Sequence, residues 1–198
     1  MQQPSELTKE QILQIKKFAE LSPEKKTELL EKQCIFCQIA KGNIDTIKVY
    51  EDKQLLVVLD INPANPGHTL IFPKMHFQFM FQLPSDAQEK LFDIVSKLSI
   101  YIVNTVKAKG INFYAANGLA AGQRVPHFVF HLIPRHDNDG LSFEWEPKKA
   151  DKKELKKIAA SLKKDLEKEM EEKGKDKGDK KKIEKEMERE LRKFRRKA

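Results

Sequence analysis

Apolar positions in this chain fall into two patterns, short β-branched runs and longer stripes at helical spacing, and turn-forming residues separate them. Residues 47–50, 55–59 and 69–72 are dense in Ile, Val, Leu and Thr and are divided by Asp, Asn, Pro and Gly, which predicts three strands. The segment Ser85-Asp86-Ala87-Gln88 has the form of a capping box. After it Leu91, Ile94, Val95, Leu98, Ile102 and Val106 keep one apolar face, predicting a helix over 85–109 that Gly110 ends. Two further strands are expected at 111–115 and 125–133, joined by the Gly-containing loop 117–122. Ahead of these, Ile12, Ile15, Phe18 and Ala19 predict a helix over 8–21, and Ser22-Pro23 supplies an N-cap and a first-turn proline for a second short one.

The pattern changes after Pro147. Leu155, Ile158, Leu162 and Leu166 support one more helix with a thin apolar stripe, and Gly174 to Asp179 interrupts it. Ile183, Met187, Leu191 and Phe194 recur at helical spacing but offer too little apolar surface for a helix stable alone. These elements describe an α+β protein: an antiparallel sheet of about five strands with packed helices, preceded by N-terminal helices and followed by a charged helical tail. The organisation expected is an N-terminal helical extension at 1–33, one domain at 34–147 and a basic, helical or partly disordered tail at 148–198.

Charge sharpens that division. The 198 residues carry a formal net charge of +8, yet residues 148–198 hold 22 Lys and Arg against 13 Asp and Glu. Residues 1–147 hold 16 against 17, so the basicity belongs to the tail and says nothing about a ligand of the core. The stretch Arg189 to Lys197 is nearly all cationic with one aromatic, a composition that suits RNA, DNA or another polyanion. The N-terminus lacks a basic segment followed by a solid apolar run, and no stretch reaches the length of a membrane span. A cytoplasmic protein is expected.

Cys34 and Cys37 are the two cysteines, three positions apart. In a reducing compartment that spacing suggests metal or redox chemistry rather than a structural disulfide, and two buried reduced thiols remain an alternative. A thioredoxin-like pair wants a βαβ context, whereas strands follow here. In an extended strand, residues 127, 129 and 131 share one face, so His127, Val129 and His131 point together and Phe128, Phe130 and Leu132 point away.

The run Gln123-Arg124-Val125-Pro126-His127-Phe128-Val129-Phe130-His131-Leu132-Ile133 resembles the signature of the histidine triad (HIT) family of nucleotide hydrolases and transferases. The segments 34–39, 49–52, 59–63 and 66–76 follow the order and spacing of that family's zinc-bearing Cys-x-x-Cys branch, so the resemblance covers about half the chain. It implies a HIT-like fold, a homodimer formed through the 85–109 helix and the strand after it, and one structural zinc per chain held by Cys34, Cys37, His76 and His127. It also implies a purine nucleoside or nucleotide pocket. There Asp60 takes the ribose hydroxyls, Phe36 and Ile61 hold the base, and Asn117, Gln123, Arg124 and His131 lie near the phosphate.

Three positions depart from the family pattern. Its nucleophilic middle histidine is Val129, which has no lone pair to attack phosphorus; its asparagine falls at Ala116, with Asn117 one residue away; and the Ser or Thr after Gly-Gln is Arg124. The expectation is therefore a zinc-stabilised nucleoside- or nucleotide-binding protein without the usual nucleotidyl-histidine chemistry, and with no catalytic residue assigned. Two alternatives stand beside it. One is a phosphohydrolase with residual or altered activity using His131 or water; the other is a nucleic-acid-associated adaptor acting through the tail.

Overall fold

The computed structural model describes residues 8, 13, 16–17 and 19–170, and the expectations for 1–7, for Ile12, Ile15 and Phe18 of the 8–21 helix, and for 171–198, the basic cluster included, lie outside the described residues. Chain contacts divide the protein into two compact units, Met1–Ser142 and Phe143–Ala198. In the first, helices α1 (Pro23–Gln33) and α2 (Ile35–Ala40) precede strands β1 (Lys48–Glu51), β2 (Leu55–Leu59) and β3 (Thr69–Pro73). Helix α3 (Ser85–Val106) follows, then β4 (Gly110–Tyr114) and β5 (Phe130–Arg135). The five strands form one antiparallel sheet in the order β1-β2-β3-β5-β4, the α+β architecture expected.

Local chemistry explains the boundaries. The Ser22 hydroxyl accepts from the Lys25 amide and Pro23 opens α1, as the sequence predicts. The capping box at Ser85 does not form. Pro84, whose side chain has no acceptor, occupies the N-cap, and Gln88 turns its amide back to donate to the Leu83 carbonyl at 2.7 Å. The helix also ends earlier than Gly110: Lys107 takes a left-handed conformation at φ 53°, and Gly110 opens β4 instead. Between β3 and β4, β5 starts at Phe130, five residues later than expected. The chain bends through 125–127, and the His127 amide donates to the Val125 carbonyl at 2.8 Å.

Both faces of the sheet are covered, so β2 and β3 are buried along their length apart from Leu59. The period-two alternation survives as a division between two clusters. Leu55, Val57, Ile71, Phe128, Phe130 and Leu132 meet Leu91, Val95 and Ile102 of α3 on one face. Leu56, Val58, Leu70, Phe72 and Val129 meet Phe36, Ile39 and Ala40 of α2 on the other. The register Val57 to Ile71 to Phe130 lines these layers up across three strands. Gly67 permits close approach where the β2–β3 connection passes α3, since a Cβ there would lie 2.8 Å from the Val106 side chain. Arg135, at the end of β5, donates to both Asp139 carboxylate oxygens and to Asn112, tying the following turn to β4.

In the second unit the Asp151 carboxylate accepts from the Lys153 amide at 2.7 Å and caps a helix through 152–170, here called α4. Among the described residues no helix is long and apolar enough to cross a membrane.

Candidate metal centre and ligand pocket

The α2 face of the sheet carries two clusters of chemically capable side chains. Cys34 sits at the joint between α1 and α2, Cys37 lies in the first turn of α2, His76 follows β3, and His127 occupies the bend before β5. Their ligand atoms all lie within 4.8 Å of one another. Cys34 Sγ is 3.3 Å from His127 Nδ1, Cys37 Sγ is 3.2 Å from His76 Nδ1, and Cys37 Sγ is 3.6 Å from His127 Nδ1. A tetrahedral zinc with bonds of about 2.3 Å to sulfur and about 2.0–2.1 Å to nitrogen sets its sulfur-to-nitrogen edges at about 3.5 Å. The donor set and its spacing fit that ion.

The outer bonds fit as well. His127 Nε2 lies 2.9 Å from the Pro73 carbonyl, which can only accept, so Nε2 carries the proton and Nδ1 turns its lone pair to the two sulfurs. Burial holds the His127 imidazole neutral, with a pKa of about 4. Burial, together with the neighbouring Cys34, pushes the Cys37 thiol up to about 12. A pocket so averse to a bare thiolate is one in which a bound cation supplies the missing charge.

The second cluster is Asp60, His68 and His131. His68 Nε2 lies 3.0 Å from His131 Nδ1, and His68 Nδ1 lies 3.1 Å from the Ala64 amide and 3.4 Å from Asp60 Oδ2. The Ala64 N–H can only donate, so the neutral His68 ring accepts at Nδ1 and carries its proton on Nε2. That proton goes to His131 Nδ1, and His131 is left with an Nε2–H donor. Burial lowers the pKa of both rings, that of His131 to about 4, while the Asp60 charge opposes the shift. Asp60 itself accepts from the Asn62 amide at 2.8 Å, which is the turn geometry its position ahead of Pro63 suggests.

His68 reads from sequence as a strand-entry histidine with a structural hydrogen bond, and its place between Asp60 and His131 needs the strand register to be seen. Leu70 pairs with His131 across β3 and β5, so a side chain two residues before Leu70 shares its face and reaches the same imidazole.

The remaining sites predicted around the ligand divide into two groups. Asn117 Oδ1 accepts from the Met80 amide at 2.8 Å. Gln123 accepts from the Gly118 amide and donates to the Gln78 carbonyl, bracing the glycine loop against the segment after β3. Arg124 and Ile61 are exposed, and Phe36 is half-buried with its ring 4.8 Å from Phe72 and 5.6 Å from His127. Contacts thus join Asp60 to His131 through His68, whereas Asn117 and Gln123 spend bonds on backbone. Val129 is 8 % exposed and belongs to the apolar layer with Leu56, Leu70 and Phe72.

A five-stranded α+β sheet with a Cys2His2 cluster on the face opposite its long helix defines a class of small metal-site proteins. Residues 41–138 match the model of the HIT domain. An uncharacterized HIT-like protein of Methanocaldococcus jannaschii is 40% identical over 125 residues, covering 63% of this chain and 96% of that protein. The chain belongs to the HIT family. An adenosine 5'-monophosphoramidase of Candida albicans is 37% identical over 130 residues, covering 63% of this chain and 86% of its own. The solved structure of a zinc-bound histidine triad family protein from Mycobacterium smegmatis superposes with a TM-score of 0.53 at 33% identity, over 60% of this chain and 86% of that one.

Proposed function

We propose that this chain is a zinc-stabilised nucleotide-binding protein of the HIT family that has lost the family's nucleotidyl-transfer chemistry. One observation carries the reading: where the middle triad histidine would stand, Val129 lies buried in an apolar layer, and His131 Nδ1 is already engaged by His68, whose Nδ1 accepts from the Ala64 amide. His131 presents Nε2–H because His68 fills its other nitrogen, and an N–H has no lone pair with which to attack phosphorus or take a proton from water. The same N–H suits a phosphate oxygen. The phosphohydrolase alternative is therefore the weaker one.

The other roles follow from the site. Asp60 offers its carboxylate to vicinal ribose hydroxyls, the half-buried Phe36 and exposed Ile61 offer apolar surface to a base, and Arg124 brings a cation to the phosphate end. Asn117 and Gln123 hold the glycine loop in shape for its amides to face the anion. Zinc on Cys34, Cys37, His76 and His127 supplies structural cross-linking, joining α2, the end of β3 and the approach to β5. An adenine nucleotide is the favoured ligand, since an adenosine 5'-monophosphoramidase is among the relatives. The chain pairs with a second copy through α3 and β4, which expose Phe92, Ile100, Tyr101 and Phe113.

The test uses zinc-loaded full-length chain. Calorimetry with AMP is expected to give saturable binding that weakens at least tenfold in Asp60→Ala. Turnover of adenosine 5'-phosphoramidate, followed by phosphorus NMR, is expected to be lower than that of a triad-intact relative by about 10⁴-fold or more, the loss typical of removing a nucleophile. Turnover within the ordinary range of about 1–10³ s⁻¹ would overturn the loss of chemistry. Absence of AMP binding would overturn the pocket.

A further inference from the structure

We infer that α4 is a self-association helix, which pairs in parallel and in register with α4 of a second copy of this chain. Every residue of this helix is exposed, and so are Leu155, Ile158, Leu162, Leu166 and Met170, at 52, 50, 65, 59 and 66 %. At about 100° per residue these five fall within roughly 120° of the circumference, a continuous apolar stripe. A helix of this length is marginal in water on propensity alone and draws its stability from burying such a face. A capped, amphipathic helix with an uncovered stripe is therefore missing half of what would hold it.

The charges beside the stripe say what covers it. One flank carries Lys152, Lys156 and Lys163, and the opposite flank carries Glu154, Asp165 and Glu169. Lys153, Lys157, Lys164 and Lys168 project from the back, and Glu167 borders the basic flank, where it meets Lys163. In a parallel two-fold pair the basic flank of each helix meets the acidic flank of the other. The heights agree: Lys152 and Lys156 bracket Glu154 of the second copy, and Lys163 lies level with its Asp165. The antiparallel pair would set Glu154 against Glu169 on the same side, which is repulsive. Lys163 already reaches Glu167 of its own helix at 3.7 Å, a long, exposed contact that a second copy can readily displace. Self-complementarity of both stripe and flanks selects a second α4, where a membrane or a nucleic acid would want one sign of charge.

Cysteine cross-linking of full-length protein tests this independently of any pairing through the core. Leu155→Cys and Met170→Cys lie at the two ends of the stripe and change only exposed positions. On mild oxidation, each alone is expected to form a disulfide-linked dimer well above the background of the parent chain, whose own Cys34 and Cys37 are buried. Adding Ile158→Glu with Leu162→Glu is expected to cut that product at least tenfold. Cross-linking only in a mixture of the two cysteine variants would mean an antiparallel pair and overturn the inference. So would no product above the parent, the outcome if another protein, a membrane or this chain's own core covers the stripe.

Discussion

The His68–His131 pair makes stability depend on pH in a way that one substitution isolates. In the native chain burial holds the His131 pKa at about 4, with the neighbouring His68 charge as a second cause, whereas an unfolded histidine titrates near 6.5. Between those values the unfolded chain binds a proton that the native chain refuses, so unfolding is favoured as pH falls. The contribution is complete above pH ~6.5 and lost progressively down to pH ~4. Each pH unit is worth about 1.4 kcal/mol, so by pH 5 this single ring accounts for about 2 kcal/mol. The physical cause is local: a proton on His131 Nδ1 would confront the His68 Nε2–H across 3.0 Å, and the pair would lose its bond. His131→Gln removes the titration while keeping a polar side chain. Urea unfolding at pH 7 and pH 5 is expected to show the parent losing about 2 kcal/mol more than the variant. Cys34, Cys37, His76 and His127 are the same in both proteins and cancel in the difference. Equal losses in parent and variant, or a His131 pKa near 6.5 by NMR in the folded protein, would refute the reasoning.

Two further outcomes are expected. Cys37→Ser should release the metal and lower the melting temperature, measured by metal analysis and calorimetry on protein prepared without chelator, because a structural zinc contributes its binding energy to folding. Gly67→Ala should destabilise by more than about 1 kcal/mol in denaturant titration. The residue sits at φ +86°, and the added methyl meets the Val106 side chain at 2.8 Å.

Much of the fold was legible because its signals are local or periodic. The β2 run from Leu55 to Leu59, the Leu91 to Val106 stripe and the Ser22-Pro23 helix start all declare themselves within a few residues. Where the reading missed, a tertiary demand outweighed the local one. Gln88 abandons the capping box for the Leu83 carbonyl, and Lys107 turns left-handed before Gly110 can act as the stop. The late start of β5 has a similar origin: the chain bends so that His127 can place Nε2 on the Pro73 carbonyl and Nδ1 between two sulfurs. The cluster of Cys34, Cys37, His76 and His127 was readable through spacing and resemblance together. His68 was not, since its partners depend on a cross-strand register that no stretch of sequence states.

The same register keeps position 129 apart from the candidate metal cluster. The metal ligands contact α2, the end of β3 and the bend before β5, and none of those contacts passes through the side chain at position 129. Position 129 faces the apolar layer of Leu56, Val58, Leu70 and Phe72, where valine is a better neighbour than an imidazole whose two nitrogens would need partners. On the proposed reading, loss of the nucleophile removed a polar group from that layer and left the zinc centre, the Asp60–His68–His131 chain and the glycine-loop braces undisturbed. Selection for binding alone would keep what remains. The consequence reaches the reverse substitution: Val129→His sets a ring into the apolar layer of Leu56, Leu70 and Phe72 while Ala116 and Arg124 still depart from the family pattern, so any gain in chemistry has to offset a cost in packing that the parent chain does not bear.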